Sequence, residues 1–162
     1  MKAGCTILLL GGLIVFATTA FAQQATLPGV PVRLGSDVAT VKATLGTPLD
    51  PEPMPPTRGI SPQNDPTRGK TFLHLRTKGL WVFFDRTGKS ETIRLDAPFA
   101  LPIKGVKLGD TVKKMKSVLG EPTKSWDVGT RTAYRYDLDP TAGIVFHADD
   151  EIEIIFVVRL SR

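Results

Sequence analysis

Seven residues of one fifteen-residue stretch return without a gap further along the chain, always at the same offset, and this repeat constrains the fold more than any other feature. Leu34, Gly35, Val38, Val41, Leu45, Gly46 and Pro48 recur as Leu108, Gly109, Val112, Met115, Leu119, Gly120 and Pro122. In each stretch the apolar side chains fall at i, i+3 and i+7, the spacing that lines one side of a short helix. Asp37 and Thr111 are the best candidates to cap the helix starts, with Ser36 and Asp110 next, because their oxygens can accept bonds from first-turn amides. Gly46 and Gly120 are predicted to end the helices in the left-handed conformation, and Pro48 and Pro122 forbid continuation.

Each helix is followed by segments with the period of strands. In the first unit these are Thr71 to Arg76, Gly79 to Phe84 and Glu91 to Leu95, with a turn at Asp85 to Gly88. In the second they are Ala133 to Tyr136, Gly143 to His147 and Ile152 to Val158. The predicted fold is therefore α+β: two tandem helix-plus-three-strand units, spanning 23–100 and 101–162, forming an antiparallel sheet with helices on one face. The first unit also carries a proline-rich insertion, 48–70, with Pro48, Pro51, Pro53, Pro55, Pro56, Pro62 and Pro66. Prolines at this density forbid a helix or a central strand, so an extended or disordered loop is expected.

The pattern Leu-Gly-x-x-x-x-x-Val-x-x-x-Leu-Gly-x-Pro, followed by Gly79-Leu-Trp-Val-Phe-Phe-Asp or Gly143-Ile-Val-Phe, resembles the small outer-membrane lipoproteins of the barrel-assembly machinery (SmpA/OmlA-like). It is also similar to the tandem-repeat β-lactamase inhibitor protein. The resemblance implies helices on one face of an antiparallel sheet, an envelope or extracellular address, and function through protein contact. The lipoproteins have one unit and a lipidated cysteine, and the inhibitor protein carries disulfides. This chain has neither feature, so no partner-contacting residue transfers from those families.

Residues 1–22 read as a secretory signal: Lys2 gives a positive start, Ile7 to Phe16 is an apolar run, and Ala20 and Ala22 form the small-x-small site. Cleavage is expected between Ala22 and Gln23, delivering a periplasmic or secreted protein. Cys5, the one cysteine, precedes the apolar run, so no lipid anchor is expected. The mature chain would then have no disulfide and no thiolate metal site. The net charge of +5 is mild and its basic residues are scattered, with Lys113, Lys114 and Lys116 the densest group. That pattern fits a solvated helix face, and no nucleic-acid partner is expected.

Catalytic apparatus is not visible, and the chain is read as a non-enzyme without cofactor or metal. Its two histidines, His74 and His147, each sit alone within a strand. Asp149, Asp150, Glu151 and Glu153 lack the alternating ligands and central glycine of a calcium loop and read as a turn plus a solvated strand face. The glycines between Gly105 and Gly109 do not have phosphate-loop spacing.

What remains is aromatic. Alternation along Leu80 to Phe84 puts Leu80, Val82 and Phe84 on one face and Trp81 and Phe83 on the other. If the first set meets the helices, Trp81 and Phe83 lie on an uncovered face, where Tyr134 and Tyr136 are candidates to join them, with Trp126 in a preceding loop. Such rings mark a protein contact because they bury much area at low entropy cost. Cross-strand support of the sheet is the competing account for any one of them. The expected function is that of an exported, monomeric binding domain acting on a protein partner: an enzyme, a toxin or an envelope complex. Its sharpest form is an inhibitor or immunity-type protein; the alternative is a structural or assembly component of the bacterial cell envelope.

Overall fold

A computed structural model describes residues 27–160; the expected signal segment and its cleavage point lie outside them. The elements in chain order are α1 (Val38–Leu45), β1 (Glu52–Pro53), β2 (Thr71–Leu75), β3 (Leu80–Phe84), β4 (Ser90–Leu95), α2 (Val112–Leu119), β5 (Lys124–Val128), β6 (Arg131–Asp139), β7 (Ala142–Ala148) and β8 (Ile152–Arg159). All eight strands join one sheet in the order β1-β2-β3-β4-β8-β7-β6-β5, and every neighbouring pair is antiparallel.

This overturns the expected two helix-plus-three-strand units. The described chain is mostly one eight-stranded antiparallel sheet, with two helices of eight residues each. Two strands escaped the pattern for a physical reason. Every residue of β5 is exposed, and β1 is two residues beside prolines. Edge strands held by backbone pairing carry no hydrophobic alternation to read. Pairing of β4 with β8, through Ile93 opposite Val157 and Leu95 opposite Ile155, fuses the halves into one sheet.

The helices form for the reasons the repeat suggests. Asp37 accepts a bond from the Thr40 amide at 2.8 Å, and Thr111 accepts from the Lys114 amide at 3.2 Å. Gly46 ends α1 in the left-handed conformation, but Gly120 ends α2 with φ 81° and an extended ψ of −163°. Only glycine adopts that second conformation readily, so the residue matches the expectation and the conformation does not. Each helix start is also stitched to the last strand of its half. Gly35 N–H donates to the Ser90 carbonyl at 2.7 Å and Ser90 N–H returns a bond to Ser36. Gly109 and Asp110 bond Ile152 in the same way.

Val41, Leu45 and Met115 from the helices join Val82, Phe84 and Phe146 from the strands in one buried cluster. The opposite face of the sheet has no helix on it among the described elements. Beyond the short strand β1, the proline-rich segment is folded largely into turns, where an extended or disordered loop is expected. Its turns close around Asp65, whose carboxylate accepts from the N–H and Oγ1 of both Thr57 and Thr67 at 2.8–2.9 Å. These bonds, the Thr67 amide foremost, pull the Asp65 pKa down to about 2.

Candidate functional site

The strand register decides which side chains share the open face. Phe72 pairs with Phe83 and His74 with Trp81, Trp81 then pairs with Arg94, Arg94 with Phe156, and Phe156 with Val145. Residues directly opposite on antiparallel strands point to the same side, so these groups form one continuous row with the core residues behind them. Alternation along β3 is complete: Leu80, Val82 and Phe84 are buried, whereas Trp81 and Phe83 are half-buried.

The rings pack against one another. The His74 and Trp81 ring centres are 3.3 Å apart and 15° from parallel. Phe72 stacks on Trp81 at 5.5 Å, and Trp81 and Phe83 are parallel to within 3° at 6.2 Å. The Arg94 guanidinium lies 5.3 Å from the centre of the Trp81 ring, a cation–π arrangement. Asp96 ties this group together, accepting a hydrogen bond from Trp81 Nε1 at 3.2 Å and forming an ion pair with Arg94 at 2.8 Å. Arg94 Nε is buried without a hydrogen bond. Arg135 donates from Nη2 to Asp137 Oδ2 at 3.1 Å, while its Nε, 2.7 Å from Asp137 Oδ1, is not aligned for a bond.

The expected site residues do not all converge. Trp81 and Phe83 lie together on the open face. Tyr134 and Tyr136 do not join them: they pair with Phe146 and Ile144, on the helix side. Tyr136 is buried, meets Phe146 edge-on at 5.9 Å and donates its hydroxyl to the Gly120 carbonyl at 2.9 Å. Burial raises its phenol pKa. Tyr134 is half-buried beneath the Lys116 ammonium, 6.0 Å from its ring centre. The reason is phase: Ala133, Arg135 and Asp137 take the open side of β6, leaving the tyrosines to face the helices.

Trp126 also differs from expectation. It belongs to edge strand β5, opposite Ala133, with Lys124 5.9 Å from its ring centre. It shares the open face but lies five strands from Trp81, roughly 24 Å at about 4.8 Å per strand. The true neighbours of Trp81 are Phe72, His74 and Arg94, which the sequence reading did not select. The alternation of Phe72 and His74 with buried Leu73 and Leu75 was the available signal.

The histidines are not isolated strand residues. His74 is the stacking partner of Trp81, and His147 lies 4.8 Å from Phe156. Desolvation lowers both imidazole pKa values, with Arg76 the next contributor at His74 and Arg131 at His147. Elsewhere, a cleft of about 560 Å³ lies within the proline-rich segment, between Pro56, Ile60 and Lys70. Its carboxylate, Asp65, is engaged by four hydrogen bonds and organises the loop.

The chain matches no protein-family profile. No curated protein matches it. Among solved structures it is similar to a DUF4309 family protein, YjgB, from Bacillus subtilis, with 15% identity and a TM-score of 0.46 over 77% of this chain and 79% of that one. A likeness at that level carries no argument about what this chain does.

Proposed function

We propose that the chain is a protein-binding domain that acts without catalysis, and that its contact surface is the open sheet face between Phe72 and Phe156. Its sharpest form is an exported inhibitor or immunity-type protein that occludes a partner in the periplasm or outside the cell. The observation that carries the reading is the row of half-buried rings centred on Trp81, which is held by His74, Arg94 and Asp96. A partner covering such a row buries apolar area without first ordering flexible side chains, the condition under which aromatic residues dominate an interface.

The arginines on this face do not favour a nucleic acid, because Arg94, Arg131 and Arg135 each face a carboxylate: Asp96, Glu153 and Asp137. Affinity capture from envelope and culture-supernatant fractions, comparing the wild type with a Trp81→Ala/Phe83→Ala variant, tests the proposal. The wild type should recover a partner in stoichiometric amount. The variant should lose at least about 2 kcal/mol of binding, roughly thirtyfold in affinity, while keeping its far-ultraviolet circular dichroism. Undiminished capture by the variant would sink this site, and recovery of a membrane-complex subunit in place of an enzyme or toxin would favour the envelope-assembly role.

A further inference from the structure

Both histidines of the chain stand on the open face, each against an aromatic ring of the row. Arg94, the cross-strand partner of both Trp81 and Phe156, lies between them. The charged groups acting on His74 are Glu52 of β1, Arg94 of β4, Asp96 just beyond it and Arg76 just beyond β2. His147 is acted on by Arg131 of β6 and Arg94 of β4, while β8 presents apolar Ile154 and Phe156 to it. Of the nearby charges, Arg94 is matched by Asp96 and Arg131 by Glu153, while Arg76 and Glu52 act on His74 with opposite sign. With neutral imidazoles the row is therefore apolar and close to charge balance.

We propose that His74 and His147 make the open face a charge switch: while neutral they leave it fit to be covered by a protein partner, and their protonation adds two positive charges that release it. This rests on the binding role proposed above for the same face. The physical basis is desolvation, since an interface that excludes water can accept a neutral imidazole but must leave an imidazolium unhydrated beside Arg94. The direction of both shifts sets the working range. Burial holds each imidazole below its ordinary value of 6.5, so the fold favours the neutral form. The stability this contributes is full above pH 6.5 and is lost as pH falls through that value toward the lower folded pKa.

Trp81 reports the switch once Trp126 is replaced by Phe. In that variant, quenching of Trp81 emission by iodide should rise about twofold, and quenching by caesium should fall, between about pH 7.5 and about pH 5. Replacing both histidines, His74→Gln and His147→Gln, should flatten the response. Equal quenching at the two pH values, or a response that survives the double replacement, overturns the switch. An NMR titration of the imidazole Hε1 protons in the unaltered chain decides without any variant: midpoints below 6.5 support it and midpoints at or above 6.5 overturn it. Acid washing of captured partner tests the coupling. Release from the wild type but not from the double variant supports it, and retention by both overturns it. If nothing is captured at any pH, the binding role fails, and the two titrations still decide whether the face is switched.

Discussion

On β2 and β3 the rings of Phe72, Trp81 and Phe83 point to the open face, whereas on β6 the rings of Tyr134 and Tyr136 point to the helix face. Both halves start with the same capped helix and the same stitch to their last strand. What differs is the phase of alternation. In β3 the aliphatic set Leu80 and Val82 claims the core, and in β6 the charged pair Arg135 and Asp137 claims the solvent. Aromatic content therefore does not identify a face. Its phase against unambiguous neighbours does.

The strongest way to break this comparison is to ask whether the halves are one cooperative body. Phe84 and Phe146 are both fully buried in the single core cluster, one in each half. Phe84→Ala and Phe146→Ala should each destabilise the whole chain by about 3–5 kcal/mol. Unfolding followed by circular dichroism and by tryptophan emission should give coincident transitions. Loss of signal from one half alone would mean that the halves are thermodynamically separate.

A smaller effect sharpens the difference between faces. Tyr136→Phe removes the hydroxyl that bonds the Gly120 carbonyl and should lower stability by about 0.5–1.5 kcal/mol in denaturant titration, leaving partner capture unchanged. Loss of capture with an intact fold would return the helix side to consideration as a contact surface.

The smallest effect on the whole fold should come from the insertion that only the first half carries. Asp65→Ala should strip hydrogen-exchange protection from the Thr57 and Thr67 amides while leaving the strand amides protected. In the wild type the sign follows from the lowered carboxylate pKa. The contribution of Asp65 is present above its ordinary 3.8 and is lost as pH falls toward about 2. Protection unaffected by the substitution would show that the prolines alone hold the loop.

Much of the local structure was legible because it is local. Helix caps, helix stops and the alternation of β3 depend on residues close together in the chain. The sheet as a whole was not. Pairing of β4 with β8 joins residues from 60 to 66 positions apart, and β1 and β5 are edges with no apolar period. The site was half legible. Trp81 and Phe83 followed from alternation, while Tyr134 and Tyr136 were selected for ring chemistry without applying the same alternation to Arg135 and Asp137. Asp65 was missed because its role depends on turns that bring Thr57 and Thr67 to it from both sides.

The strand order carries a consequence for timing. β8 is last in chain order among the eight strands but sits at the middle of the sheet, between β4 and β7. During synthesis β4 and β7 must each wait with a bare edge until β8 emerges to close the gap. Assembly of this fold is therefore completed from the inside, and a chain stopped before Ile152 would leave two unsealed sheets where the finished one has its seam.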